Sequence, residues 1–415
     1  MSIKQVLQVV DKSHIVHGKG ARKKALAPHI DGFSGYLSGE GYASQTVSSK
    51  CVLVADIDRW LRRRRLPLRQ LDEEQVKRFH FRHRALPRRG DLTTGQQLLE
   101  YLREAGCIPK LRRKIDRTPF GKITREYARF LGSERGLSAN TITGYVLIVR
   151  RFLTERFADE PLHFRHLRLR DLHRFILRDA QRGSRSRARL AVTALRSFLR
   201  FLQLRGQIKT DLAAAICGVA HWRMSNIPKS LPPEQVEKLL RSCDRNTLSG
   251  QRDYAILLLL ARLGLRGGEV LAMTLDDVDW DHGEIVVLGR RRRLDRLPLP
   301  KDVGAALVHY LKHVRPVCTT RRFFIRLKAP RRGLRQSAIC CVIRRALKRA
   351  GLNPDFTGAH LMRHSLATGM LRRGASLREI GQLLRHVQPT TTQIYAKVDI
   401  TALRRIALPW MGEGR

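Results

Sequence analysis

The C-terminal third carries His360-Leu361-Met362-Arg363-His364 and, further on, Leu384-Arg385-His386-Val387-Gln388-Pro389-Thr390-Thr391-Thr392-Gln393-Ile394-Tyr395. Together these place imidazoles, a guanidinium and a phenol at spacings that suit attack on a phosphodiester. A single arginine says little among 81 basic residues, but the chain has only 15 His and 8 Tyr, so the combination is specific. His360, Arg363 and His364 recur at i, i+3 and i+4, and one helix face can carry all three. A lone histidine is more often packed or solvated, and His364 and His282 are expected to be of that kind. Ser376-x-x-Glu379 has the form of a capping box that starts a helix ending at His386. Thr390 is expected to cap the helix that carries Tyr395.

A second group lies upstream in Ala261-Arg262-Leu263-Gly264-Leu265-Arg266-Gly267-Gly268-Glu269-Val270-Leu271. Glu269, at i+3 from Arg266, shares its helical face and can orient the guanidinium. Phosphoryl transfer mainly requires an in-line nucleophile and stabilised charge on the non-bridging oxygens. Arginine suits the second task because its planar fork donates two hydrogen bonds and stays charged. A phenol, with pKa near 10, needs a base and a cationic field to become a nucleophile.

At these positions the chain resembles the tyrosine recombinase (phage integrase) family, strongly over residues 230–400 and more loosely over 116–215, the family's helical core-binding domain. The resemblance implies that Arg266, His360, Arg363, His386 and Tyr395 are catalytic. Arg266 and Arg363 would clamp the phosphate, His360 would help accept the tyrosine proton, His386 would bind the phosphate, and Tyr395 would be the nucleophile. It implies a 3′-phosphotyrosyl link, a freed 5′-hydroxyl, and no need for ATP, metal or another cofactor. Double-stranded DNA is the implied substrate, bound by a tetramer on two paired sites, with the segment around Ile400 to Trp410 docking on a neighbour. One departure stands out. The family places a catalytic lysine in a Gly-Lys-Gly turn, whereas this chain reads Gly289-Arg290-Arg291-Arg292-Arg293. Arg290, at the lysine position, is a poor proton donor, but it could stabilise the leaving oxygen electrostatically, or water could deliver the proton.

Composition agrees with a polyanionic partner. A formal charge of +45 over 415 residues exceeds what solubility needs and runs through the whole chain. No apolar run approaches the ~20 residues of a membrane span, the longest candidate being Tyr254 to Leu260. Met1 to Asp31 lacks the apolar centre of a secretory signal, and seven scattered cysteines form no Cys-x-x-Cys pair. A reducing bacterial cytosol is the expected compartment.

The fold class expected is mainly α with a small antiparallel β-sheet in the C-terminal catalytic domain, preceded by helical N-terminal DNA-binding domains. Four segments are expected: an N-terminal helical module over 1–115, a core-binding domain over 116–215, a linker over 216–229 and a catalytic domain over 230–415. Leu231-Pro232-Pro233 opens a helix, with Pro in the first turn. Glu284–Leu288 and Arg296–Pro300 read as two strands around a charged turn, with helices resuming near Asp302. An internal echo pairs Gly41-Tyr42-Ala43-Ser44-Gln45-Thr46-Val47 with Gly136-Leu137-Ser138-Ala139-Asn140-Thr141-Ile142. Residues 31–84 are therefore a candidate second module of the core-binding type, an idea that a different helix order in 125–178 would end. The Leu294–Pro300 segment and the extra N-terminal module lean toward transposon-borne integrases. Two other functions share these residues: relaxation of DNA by a type IB topoisomerase, and DNA binding by a catalytically silent regulator.

Overall fold

The computed structural model describes residues 26–82, 90–110, 116–158, 161–219, 227–289, 294–398 and 404. Those from 116 to 219 form one body, and those from 26 to 110 together with 227 to 398 form another.

The described residues open with a 3-10 turn (Ala27–His29), α1 (Ile30–Gly39) and the long α2 (Ser44–Arg63), then a 3-10 turn (Leu68–Gln70), α3 (Glu73–Arg82) and α4 (Asp91–Glu104). Their apolar faces meet in a core that includes Phe33, Leu37, Val54, Ile57, Leu61, Leu98 and Leu102. The separate body repeats the sequence of elements with α5 (Pro119–Ser133), α6 (Ala139–Phe157), a 3-10 turn (Phe164–His166), α7 (Leu169–Arg182) and α8 (Arg185–Leu204), and it adds the short α9 (Leu212–Ala215). Thr118 caps α5 by accepting from the Gly121 amide at 3.1 Å, with Pro119 at a position whose missing N–H is not needed. Tyr127, Phe152, Phe198 and Phe201 fill this second core. Each buried aromatic or leucine there contributes about 1.5–3 kcal/mol of transfer free energy.

From residue 231 the order is α10 (Pro233–Arg241), α11 (Leu248–Arg262), α12 (Gly267–Ala272), three strands, and α13 (Lys301–His309), which runs into a π turn at Tyr310–Val314. Then come α14 (Gln336–Arg349), α15 (Ala359–Arg372) and α16 (Leu377–Leu383), followed by 3-10 turns at Pro389–Thr391 and Gln393–Val398. Leu257, Leu258, Leu259 and Leu260 are each at most 1% exposed, so α11 is surrounded on all sides and forms the axis of this core. The apolar run weighed against a membrane span is thus a central core helix, and no helix among the described residues is long and apolar enough to cross a membrane.

The sheet is antiparallel in the order β1 (Val278–Asp279), β2 (Glu284–Leu288), β3 (Leu294–Pro298). β3 begins and ends two residues earlier than the expected Arg296–Pro300, because Pro298 closes the pairing opposite Glu284 and Pro300 already caps α13. β1 is a strand that residue patterning did not mark. The turn between β2 and β3, including Arg290, lies outside the described residues, as does the Ile400 to Trp410 segment.

Candidate active site

α12 opens on a box made by an arginine and a glutamate. Arg266 is the N-cap; its amide donates to Glu269 Oε2 at 2.8 Å and its guanidinium to Oε1 at 2.6 Å. Glu269 is therefore the orienting carboxylate that the i+3 spacing implies, and its side chain is only 7% exposed. Its Oε2 also accepts from Arg385 at 2.7 Å. One carboxylate thus holds two arginines that are far apart in sequence.

Arg363 projects from α15 into the interior and is 3% exposed. Its guanidinium donates to the carbonyls of Gly264 and Leu384, which end α11 and α16. Gly264 has φ +57°, and a Cβ there would lie 2.8 Å from the Leu384 side chain, so a larger residue would be strained where this carbonyl meets Arg363. Burial, reinforced by the charges of Arg266 and Arg385, pushes Arg363 down to about 10. Burial likewise lowers Arg385 from the usual arginine range, with Glu269 opposing it. Two buried guanidinium groups and the half-buried one of Arg266 thus gather near Glu269, with Asp295 3.9 Å from Arg385, so three cations face two carboxylates.

Ser376 and Glu379 form the expected capping box at the start of α16, with Glu379 accepting from the Ser376 amide at 2.7 Å. The helix stops at Leu383, before the expected His386, because Arg385 turns into the left-handed region at φ +54°. The Arg385 amide then donates to Gln382 O and the His386 amide to Gly381 O, both at 2.9 Å. This is the hydrogen-bond pattern of a glycine stop, made here by arginine. It turns His386 toward Thr392, whose Oγ1 lies 2.7 Å from the imidazole Nδ1. Burial first, then Arg363 and Arg266, push His386 down to about 4. Thr390 sits inside a 3-10 turn and caps no helix; the threonine with a positioning contact is Thr392, two residues on.

Tyr395 lies in the last 3-10 turn and is 1% exposed, packed in a small cluster with Ala367, Ile380 and Leu384. Burial raises its hydroxyl to about 12, with Arg363 opposing the rise. That hydroxyl shares a 2.9 Å hydrogen bond with His364 Nδ1, and the two rings meet edge to face at 5.7 Å. This corrects the expectation that His364 is an incidental packed or surface residue. Arg363 and His364 both turn inward from α15, while His360, one turn earlier, is exposed with its ring 6.1 Å from that of His364. His364 is pushed down to about 4 by burial, then by His360 and Arg363.

Arg266, Arg363, His386 and Tyr395 therefore converge, with His360 at the rim. The residues that sequence reading missed are His364, Arg385 and Thr392. His364 carried a signal in its i+4 spacing from His360, whereas nothing in the order of residues marks the backbone reversal at Arg385. Beside the cluster is a cavity of about 790 Å³ lined by Gly289, Asp295, Arg385, His386, Thr392 and Gln393. Among the described residues, no three His, Cys, Asp or Glu side chains are grouped to hold a metal ion.

Comparison with known proteins gives consistent matches. The model described as Phage integrase family matches residues 229–401, and that described as Phage integrase, N-terminal SAM-like domain matches residues 124–206. The integrase/recombinase y4rA of Sinorhizobium fredii is 41% identical over 393 residues, covering 94% of this chain and 96% of the relative. Tyrosine recombinase XerD of Listeria monocytogenes is 32% identical over 290 residues, covering 68% of this chain and 96% of XerD. Among solved structures, the XerH site-specific recombinase bound to its palindromic difH substrate has TM-score 0.56 at 21% identity, covering 68% of this chain and 83% of that one. The Tn1549 transposon integrase in complex with a circular intermediate DNA has TM-score 0.53 at 17% identity, covering 69% and 99%. At these identities the structural likeness is one of fold.

Proposed function

Because the chain belongs to the phage integrase family of tyrosine recombinases, enzymes that cleave and rejoin DNA strands, we propose that it is a site-specific recombinase working through a 3′-phosphotyrosyl intermediate. The observation that carries this reading is the group of three arginines near Glu269, the buried Arg363 and Arg385 and the half-buried Arg266, next to a buried tyrosine. Such a cluster favours a bound anion, and a phosphodiester supplies one.

Arg266 and Arg363 donate to the non-bridging oxygens, and His386, neutral at pH 7, adds a hydrogen bond. The Tyr395 oxygen attacks phosphorus along the axis opposite O5′. The O–P bond forms as the P–O5′ bond breaks, leaving the phosphate on tyrosine and a 5′-hydroxyl on the departing strand. The phenol proton passes to an imidazole, either His364, already hydrogen-bonded to it, or His360 at the rim. The departing O5′ takes up a proton from water, with electrostatic steadying of its charge the role left to Arg290. The bond energy stays in the phosphotyrosine, so the reverse attack rejoins a strand without ATP.

Before cleavage Tyr395, a residue only 1% exposed, has to bring its hydroxyl out to the DNA. A 3-10 segment, with poorer hydrogen-bond geometry than an α-helix, is suited to that shift. Residues 116–215 act as the core-binding domain, 216–229 as the linker and 230–415 as the catalytic domain. The reaction serves integration, excision or transposition of a mobile element, carried out by a tetramer on paired sites in the bacterial cytosol.

A nicked suicide duplex built on the ends of the mobile element tests the reading. The chain should become covalently attached, and Tyr395→Phe should abolish the adduct while leaving DNA binding intact. Binding without any adduct would identify a silent regulator instead. Relaxation of arbitrary plasmids by a monomer would identify a topoisomerase.

A further inference from the structure

We propose that residues 26–110 are a second DNA-binding module, built on the plan of residues 119–204, that grips duplex DNA through Arg63, Arg65 and Arg69. The proposal rests on the reading that the chain works on DNA, and three observations support it.

The first is the match of the two helical units, each taken by itself. From the end of the first helix onward they share one order of elements: long helix, 3-10 turn, helix, helix. Ser44 and Ala139 open the long helices, Leu68 and Phe164 the turns, Glu73 and Leu169 the third helices, and Asp91 and Arg185 the fourth. A glycine of positive φ, Gly41 at 84° or Gly136 at 59°, precedes each long helix. The interiors correspond as well: Leu53, Val54, Ile57, Val76 and Phe79 are buried in one unit, and Ile148, Val149, Phe152, Leu172 and Phe175 in the other. Two unrelated hairpins would not keep helix order, turn type and buried positions in step over this length. The later unit is the one matched by the family's SAM-like domain model.

The second is where the charges sit. At the end of α2, Arg59 and Arg62 are paired with Asp56 and Asp58 of the same helix. Arg63, Arg65 and Arg69 are exposed and have no ion pair among the described residues. In the other unit, Arg151 and Arg156 near the end of α6 are neutralised by Asp179 at 2.7 Å and Asp171 at 3.2 Å. Arg65 also occupies the left-handed stop of α2 at φ +55°, where glycine would save about 1 kcal/mol. An arginine at such a position, within a group of solvated cations, fits a phosphate contact.

The third is the use the unit makes of its acids. Glu40 accepts from Arg332 Nε at 2.9 Å, its carbonyl accepts from the Arg331 amide at 2.9 Å, and the Tyr36 hydroxyl accepts from Arg332 at 3.1 Å. Glu100 adds a contact to Arg332 at 3.6 Å. Glu40 and Glu100 are thus committed to Arg332, and Asp56 and Asp58 to Arg59 and Arg62, which leaves Arg63, Arg65 and Arg69 to an outside polyanion.

The experiment uses the full chain and measures binding to a duplex of arbitrary sequence over a range of salt concentrations. Wild type is compared with the triple variant Arg63→Ala, Arg65→Gly, Arg69→Ala, in which glycine preserves the left-handed stop. Each lost phosphate contact should reduce the slope of log K against log salt by about 0.9, so the variant should be shallower by roughly 2 to 3. Lysine at all three positions should restore the slope, which a folding defect would not explain. Identical slopes for wild type and the alanine-glycine variant would overturn the proposal. Adduct formation on the suicide duplex is scored separately: a wild type that forms no adduct defeats the recombinase reading, while the slope comparison still decides this one.

Discussion

Arg385 and Glu269 are joined at 2.7 Å across 116 residues of sequence, and the same carboxylate holds Arg266 at 2.6 Å. The orientation of Arg266, part of the proposed phosphate clamp, is therefore set by a carboxylate that is itself held from the end of α16. A carboxylate between two neighbouring cations balances their repulsion, and its charge matters more than its hydrogen-bonding shape.

Glu269→Gln keeps the shape and removes the charge. The DNA-free protein should lose about 3–5 kcal/mol, the cost of leaving buried charges unbalanced. Added sulfate should raise the melting temperature of the variant more than that of wild type, because the anion replaces the missing charge. Equal sulfate responses in thermal melts would count against an unbalanced cation cluster.

Replacing Arg385 separates its backbone role from its side-chain role. Arg385→Gly and Arg385→Ala lose the same contact with Glu269, but only alanine keeps the left-handed penalty at φ +54°. The glycine variant should be more stable than the alanine variant by about 1 kcal/mol in urea titrations. Both should cleave DNA at least tenfold more slowly than wild type, about 1.4 kcal/mol in the barrier. A glycine variant with wild-type cleavage would reduce Arg385 to a helix stop.

His364 and His386 are both pushed down to about 4 by burial first and by neighbouring cations second. Histidine in the unfolded chain titrates near 6.5, so between those values the unfolded state binds more protons. The stability they contribute is fully present above about pH 6.5, falls as the pH drops, and is gone below about 4. The steepest loss should be on the order of 1.4 kcal/mol per pH unit for each histidine. Urea midpoints from pH 4 to 8 should show this slope, and His364→Asn or His386→Asn should flatten it. An unchanged slope in both variants would assign the acid sensitivity to other groups.

Arg290→Lys tests the departure in the β2–β3 turn. An ammonium can give a proton to the leaving O5′, whereas a guanidinium with pKa above 12 scarcely can. Cleavage of the suicide duplex should therefore stay the same or rise. A large fall would give arginine a dedicated role at this position.

The covalent order of residues was sufficient for the parts governed by local chemistry. Helical spacing marked α15 as the carrier of His360, Arg363 and His364, and Ser376 and Glu379 announced the start of α16. The i+3 relation of Arg266 and Glu269 implied their ion pair. These features depend on residues within one turn of each other, where helix geometry alone sets distances.

Only the folded chain decided which imidazole meets the phenol, that Glu269 serves two arginines, and that α16 stops at a left-handed arginine. His364, and not His360, reaches Tyr395 because the buried face of α15 is chosen by packing against Ile380, Leu384 and Tyr395, all remote in sequence. Burial also moved the titrations of Arg363, His364, His386 and Tyr395. Desolvation depends on what the rest of the fold lays over a group, so those properties arise only once the tertiary structure has closed around the site.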